Sequence, residues 1–425
     1  MPVKNEPGHR RLARRIAAFF IPDDGPIPRS AELDLTANGS LKGQYIVTLS
    51  TQDWRDLWTR KQRFMLQFAR QGNRVLYVET QFHWLTYFKL FRKQWRRVFL
   101  FLRGPREIEP NLFLYTPPLL LPAFQIFPKI AAINNFVLAF FIRSAMAKLA
   151  ISNPLLWLYS HYNEPLIRKL GCRKALYECV DEFSAAKGLI KPNVVKNQER
   201  ATLESVDAAI VTAPGLKRTK SLYNRNINVI PNGANVGHFN AAENRSEPED
   251  LRPIPHPRLT FVGGIAYWVD LELIRYLANL RPDWQIVMIG PIMVDLQGID
   301  RLKNVHILRR KPYDDLPAYL AWSDIALNPY RVDAIAENCS PLKLYEYMAA
   351  GLPVVSTDMP EARKFPGIVD VARSYDAFAA AINSILDWQP EKRAERSQAA
   401  KEESRNHSWE SRFLEVDRIA REVVN

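Results

Sequence analysis

Only three cysteines occur in 425 residues, Cys172, Cys179 and Cys339, and no two of them stand in a CxxC spacing. That excludes a disulfide framework and a cysteine-built zinc site, and it implies a reducing compartment. Missing as well is an uninterrupted apolar run of membrane-spanning length. The nearest approach, residues 119–143, is interrupted by Pro122, Pro128, Lys129, Asn134 and Asn135, so no spanning helix is expected there. The stretch MPVKNEPGHRRLARRIAAFFIPDD is basic, but its apolar part is too short for a secretory signal and lacks a small-residue cleavage site. A cytoplasmic protein is the resulting expectation.

Acidic residues are short in one half only. Residues 1–250 carry 36 Lys and Arg against 21 Asp and Glu, whereas residues 251–425 carry 22 against 24. The whole excess of +13 therefore belongs to the first half, which points to phosphates, nucleic acid or an anionic membrane surface. Segment 84–103, WLTYFKLFRKQWRRVFLFLR, concentrates that charge: six Lys or Arg, no acid, and aromatic, Leu and Val residues around them. Lys89, Arg92, Lys93, Arg96 and Arg97 on such a helix would sit on anionic lipid while the apolar residues enter the headgroup region. A core helix with one solvated basic face is the competing reading. Nucleic acid is not an expected partner, because no recognised nucleic-acid motif accompanies the segment.

What is present is a 47% hydrophobic, 24% charged composition, enough for large cores, and a length that suits two domains. The strand YIVTLS (45–50), the helix RKQRFMLQFARQG (60–72) and the strand NRVLYVE (73–79) open a doubly wound parallel sheet. LLWLYS (155–160), KALYECV (174–180), DAAIVTA (207–213) and INVIPNG (227–233) continue it. After the Pro- and acid-rich residues 241–258 the pattern restarts with LTFVGG (259–264), WQIVMIG (284–290), NVHIL (304–308), DIALNPY (324–330) and VVST (354–357). The expected organisation is α/β with two Rossmann-like domains facing a cleft. A basic extension spans 1–44, the first domain 45–240, a linker 241–258 and the second domain 259–408. A helix over 409–425 should pack back toward the first domain.

Ligands of open parallel sheets bind outside the carboxyl ends of the strands. In the second domain that rule selects Gly263 and Gly264, and the helix within ENCSPLKLYEYMAAGLPVVST (337–357). Ser340 as N-cap, Pro341 at the first helical position and Gly351 past the end delimit this helix. Lys343 in the first turn is misplaced against the helix dipole unless an anion sits opposite. Lys343 and Glu346 share a face, so a phosphate on one and a ribose diol on the other would describe a nucleotide. An ordinary surface ion pair is the alternative.

The same stretch resembles the nucleotide-sugar motif of glycosyltransferases of family 4 and relatives, which have the GT-B fold. YECVDEFSAAKG (177–188), VIPNGANVGHF (229–239), FVGGIAYWVDLELI (261–274), RPDWQIVMIGP (281–291) and LRRKPYDDLPAYLAWSDIALNPY (308–330) look like segments of a branch that builds bacterial cell-surface polysaccharides. The resemblance covers roughly residues 45–385. It implies that Glu346 binds the donor ribose and that Ser340, Pro341 and Leu342 turn the backbone at the diphosphate. Lys343 would supply countercharge, Gly263 and Gly264 would face the phosphates, and Arg310, Lys311 and Tyr313 would lie near the base. It also implies a retaining transfer to a glycan or lipid-linked acceptor, while segment 84–103 gives the expectation of peripheral association with the inner face of the membrane. Two positions depart from the family pattern: Asn338 stands where a sugar-contacting glutamate is usual, with Glu337 one residue off register. Ala266-Tyr267-Trp268 replace a usual basic pair, which leaves Arg331 or Arg60 to supply further phosphate charge.

The first domain offers Asp181 as a base or acceptor ligand, with a helix N-cap as its alternative, and His161 at a cleft edge, where a structural histidine is the alternative. Trp54, Arg60 and Gln62 lie in or just after the first strand-to-helix loop and are further candidate contacts. No DxD-like carboxylate pair ends a cleft-facing strand, so neither an essential metal nor a cofactor is expected beyond the nucleotide-sugar co-substrate. A nucleotide-sugar epimerase on the same fold and a non-enzymatic membrane-associated binding protein are the rival readings.

Overall fold

The computed structural model describes residues 39–56, 58–81, 95–185, 190–241 and 245–425. Lys89, Arg92 and Lys93 fall outside the described residues, as do residues 1–38 of the basic extension.

Two parallel sheets form, each from short runs of β-branched and apolar residues buried on both faces. The first contains β1 (Tyr45–Leu49), β2 (Arg74–Val78), β3 (Arg106–Glu109), β4 (Leu112–Tyr115), β5 (Leu155–Leu158), β6 (Lys174–Cys179), β7 (Ala208–Val211) and β8 (Ile227–Val229). Its order is β3-β4-β2-β1-β5-β6-β7-β8, with only the edge strand β3 antiparallel. The second contains β9 (Arg258–Val262), β10 (Gln285–Ile289), β11 (Val305–Arg309), β12 (Ile325–Asn328), β13 (Val354–Thr357) and β14 (Val369–Ala372). Its order β11-β10-β9-β12-β13-β14 reverses direction at β9, the switch point at which doubly wound sheets bind ligands. The expected α/β architecture of two Rossmann-like domains facing a cleft is therefore present.

The C-terminal helix Trp409–Val424 leaves the second domain and buries Trp409, Phe413, Val416, Ile419 and Val423 against Phe64, Phe68 and Trp157 of the first. Its apolar residues recur at helical spacing, so the return was legible in the sequence.

The domain boundary differs from the expectation. Ala234 and Phe239 pack in the second domain's core, as do Leu251 and Ile254 of the segment read as a linker. Asp250 pairs with Lys311 and accepts a 2.7 Å hydrogen bond from Tyr319, and Glu247 lies 2.8 Å from buried Arg258. Pro and acids gave this stretch a linker composition, but its charges are partners for cations already in the second domain.

A second difference is the helix Pro128–Lys148, 21 residues long and, by length and composition, apolar enough to cross a membrane. Pro128 opens the helix rather than breaking it, because a proline in the first turn sacrifices no helical hydrogen bond. Asn134 exchanges two 2.9 Å hydrogen bonds with the Leu121 backbone, and Asn135 donates to the Tyr162 carbonyl at 2.8 Å. The two asparagines that interrupt the apolar run are turned inward.

Candidate active site

A cleft of about 800 Å³ separates the carboxyl ends of the two sheets. Two helices aim their first turns at it, Arg60–Arg70 from the first domain and Leu342–Ala349 from the second. Neither carries an acid in its first turn. Each instead places cations where the helix dipole disfavours them, a pattern that suits a negatively charged ligand between them.

Leu342–Ala349 is anchored by Leu344, Tyr345, Tyr347 and Met348, all buried. Pro341, not Ser340, occupies the cap position in extended conformation. The Ser340 hydroxyl is committed elsewhere. It accepts the Asn232 N–H at 3.1 Å, while the Asn232 side-chain amide donates to the Ser340 carbonyl at 2.7 Å. Asn232 thus ties the start of the second-domain helix to the turn that ends the first domain. Gly351 closes the helix at φ +71, and a Cβ there would meet Ser397 Oγ at 2.3 Å.

Lys343 is 93% buried by complement of its 7% exposure, and it lies against the Phe261 and Tyr330 rings at 4.7 and 4.4 Å. Its Nζ donates to the Tyr330 hydroxyl at 2.9 Å. Among the described residues no carboxylate pairs with it, so the surface ion-pair reading of Lys343 and Glu346 does not hold. Burial pushes its pKa down to about 8, against the attraction of Cys339 and Glu346. Gly263 makes this seat possible: at φ +151, its absent Cβ would stand 2.7 Å from Lys343 Cε. Gly264 and Gly290 line the same wall.

Glu346, one turn on, opens into the cleft. Burial pushes its carboxyl up to about 7, opposed by Arg63, Lys343 and a hydrogen bond from Tyr313. Tyr313 stacks on His238 with centroids 4.8 Å apart, which fixes its ring at the cleft wall. Arg310 also lines the cleft, whereas the Lys311 ammonium, though at the cleft, is engaged by Asp250.

Arg63 reaches across from the first domain and was not among the sequence candidates. It is 3% exposed, its guanidinium lies 5.8 Å from the Tyr313 centroid and 5.5 Å from that of Trp409, and its Nε and Nη1 have no hydrogen-bond partner among the described residues. A buried guanidinium with unmet donors is costly, so the arrangement suits an acceptor-rich ligand. The available signal was the one that singled out Lys343, a cation in the first turn of a cleft-facing helix.

On the first-domain wall, Asp181 faces Lys61. Asp181 is open to the cleft but surrounded by protein otherwise, and desolvation lifts its pKa to about 6 while Lys61 opposes. Burial lowers Lys61 to about 8, with Asp181 and Glu178 opposing. Lys61 donates to Thr51 at 2.6 Å. The Asp181 carboxylate makes no hydrogen bond among the described residues, so the N-cap alternative is not realised.

Several candidates lie elsewhere. Trp54 is buried against Trp58 and Tyr77, and it is Trp58 of this pair that lines the cleft. Gln62 completes a capping box with Thr59 and donates to the Asp53 carbonyl at 3.0 Å. Arg60 borders the cleft, but its guanidinium pairs with buried Glu178 and donates to the Ile230 carbonyl at 2.8 Å. His161 packs on Phe183 behind the wall and does not line the cleft. Burial, helped by Lys220, lowers its pKa to about 3, so it is neutral near pH 7. Arg331 does not line the cleft either. Asn338 donates to the Ala334 carbonyl at 2.7 Å, and its Oδ1 presses on Gly215 of the first domain. It belongs to a domain contact, not to the cleft. Among the described residues no cluster of three or more His, Cys, Asp or Glu could hold a metal.

The chain is similar to several known proteins. The family described as glycosyl transferases group 1 matches residues 256–387. Those residues resemble a group 1 glycosyltransferase domain. A putative teichuronic acid biosynthesis glycosyltransferase of Bacillus subtilis (strain 168) is 28% identical over 225 residues, which cover 49% of this chain. The chain spans about half the length of that curated relative, 56%. Among solved structures, a sucrose-phosphate synthase from Thermosynechococcus elongatus superposes with TM-score 0.70 at 15% identity, covering 90% of this chain and 99% of its own. The UDP-forming trehalose-phosphate synthase of Burkholderia vietnamiensis gives 0.67 at 14% identity, over 90% and 100%. Anabaena HepE, solved in complex with UDP, gives 0.59 at 13%, over 89% and 99%. These likenesses identify the two-domain GT-B fold.

Proposed function

We propose that the protein transfers a sugar from a nucleoside-diphosphate sugar to a hydroxyl of a glycan or lipid-linked acceptor in cell-envelope polysaccharide synthesis. The observation that carries this reading is Lys343, buried at a helix start without a carboxylate partner, one turn before the cleft-facing Glu346. The UDP bound to the Anabaena neighbour and the teichuronic acid role in the name of the Bacillus relative support the donor class and the pathway class.

In this reading Lys343, the helix N-terminus and the backbone beside Gly263 hold the diphosphate. Glu346 accepts hydrogen bonds from the ribose, and Arg63 closes the donor site from the first domain. As the anomeric bond lengthens, charge grows on the leaving diphosphate, and fixed donors in a site closed to water stabilise it more than they stabilise the ground state. Asp181, raised to about 6 and open to the cleft, is placed to receive the acceptor's proton. Retention at the anomeric carbon and association with the inner membrane face belong to the proposal. So does independence of metal, which rests on the lack of a DxD-like pair; turnover should survive EDTA.

The test is a thermal-shift series with UDP, GDP, dTDP and CMP, followed by donor-consumption assays with the sugars of the base that binds. A ligand specific to the folded state raises Tm according to its affinity. One nucleoside diphosphate should shift the transition and the corresponding monophosphate much less. No shift with any of them would remove the donor site, and sugar-nucleotide interconversion without an acceptor would replace transfer by epimerisation.

A further inference from the structure

The helix Pro128–Lys148 is amphipathic in the reverse of the usual sense. Its asparagines point into the protein, as described above, while Ile133, Phe136 and Phe140 point outward, 51, 66 and 67% exposed. Spacings of three and four place those three on one stripe. Phe127, just ahead of the helix, is 51% exposed. Phe101 packs edge-on against Phe141 at 5.3 Å, bringing the Trp95–Arg103 turn alongside, where Leu102 is 63% exposed. A contiguous aromatic surface of this kind marks an interaction site.

The charges around it say which kind. Lys129 stands at one end of the stripe and Arg143 and Lys148 at the other, all exposed, and Lys169 extends its Nζ over the Phe136 ring at 5.5 Å. Between residues 80 and 163 the only acids are Glu107 and Glu109. Exposed phenylalanines ringed by cations match a bilayer with anionic headgroups, aromatic rings in the interface and ammonium and guanidinium groups at the phosphates. The inward asparagines and their backbone partners exclude a span, because crossing would pull these hydrogen bonds into hydrocarbon. The helix also starts on the cleft side: β4 ends there at Tyr115, and the chain runs down the helix before β5 begins at the opposite end.

We infer that the outward face of Pro128–Lys148 is a membrane-docking surface that lies in the headgroup region of an anionic bilayer and brings the acceptor side of the cleft to that bilayer. This rests on the membrane association proposed above and specifies its contact face, which adds the outward stripe of this helix to the end of the basic segment 84–103 expected from sequence.

Sedimentation of the full chain with phosphatidylcholine vesicles containing 30% phosphatidylglycerol, and with phosphatidylcholine alone, is the test. Wild type should sediment with the anionic vesicles, and salt should weaken the binding, because charges at a surface are screened within about 8 Å at 0.15 M. Phe136→Asp/Phe140→Asp should reduce partitioning at least tenfold while leaving Tm and the nucleotide-induced Tm shift unchanged. A milder Phe136→Ser/Phe140→Ser variant guards against misfolding. Equal binding of wild type and both double variants overturns the docking face alone. Failure of wild type to bind anionic vesicles overturns membrane association as a whole, without touching the donor site. A wild-type dimer in lipid-free solution that the variants convert to monomer would assign the face to a second copy of the chain and overturn the inference.

Discussion

Lys343→Met is the substitution that separates a ligand-binding lysine from a structural one, because the two roles predict opposite signs. The methionine keeps the apolar stem between Phe261 and Tyr330 and removes the charge. In the empty protein that charge is held against burial, which lowers its pKa from 10.5 to about 8. A shift of that size corresponds to about 3 kcal/mol of destabilisation of the folded state while the lysine is protonated in both states. The sign follows from linkage. Below pH 8 both states carry the proton and the penalty is complete; between pH 8 and 10.5 only the unfolded chain binds it, so stability rises with pH and the penalty disappears. Lys343→Met should therefore melt a few degrees higher than wild type at pH 7, with the difference shrinking above pH 8. Nucleotide binding should change in the other direction. Loss of a charged contact costs about 1.5–3 kcal/mol, or roughly 10- to 150-fold in Kd for the diphosphate. Wild-type affinity should also decline above pH 8 as the free lysine loses its proton, and the variant should show no such decline. Differential scanning fluorimetry and titration calorimetry across pH 6.5–10 read both quantities. A variant that loses stability and keeps its affinity would refute the reasoning.

Arg63→Ala should weaken donor binding about tenfold and move the Glu346 carboxyl further above its present value of about 7, and Arg63→Lys should restore little, because the guanidinium lies over two rings. Asp181→Asn should abolish turnover with Kd for the nucleotide unchanged; wild-type kcat/KM should fall as pH drops through about 6, where this carboxylate takes up a proton. Arg60→Met should cost about 3–5 kcal/mol in a denaturant titration, because it leaves Glu178 a buried charge without its cation, with neutral donors such as Trp157 Nε1 at 2.8 Å in its place.

The comparison of sequence with structure turns on particular residues. Strand positions were readable because short, β-branched apolar runs such as WQIVMIG, bounded by turn residues, suit strands buried on both faces. Lys343 and Glu346 were readable because a helix start, a cation and a carboxylate one turn apart are local features. Trp54 and Gln62 were misread for a related reason: a strand-to-helix loop faces the cleft as a whole, but each side chain chooses cleft or core by packing. Asp250 and Glu247 looked like linker acids until their partners Lys311 and Arg258 were placed beside them. Asn338 drew interest as a missing sugar contact, yet its place is taken up by the contact with Gly215, which no local pattern encodes.

The sequence by itself determined the two α/β domains, the returning C-terminal helix and the cleft-facing helix start, because hydrophobic period, capping residues and first-turn charge act within a few residues of one another. Only the tertiary structure decided which charges stay unpaired. Arg60 and Arg63 sit three residues apart on one helix; one pairs with Glu178, 118 residues away, and the other forms no ion pair among the described residues and acts on Glu346 only through its field. Tertiary structure likewise turned Asn134 and Asn135 inward and left Phe136 and Phe140 outside. Pairing and exposure depend on what packs from distant parts of the chain, and that information is not carried by the neighbours in sequence.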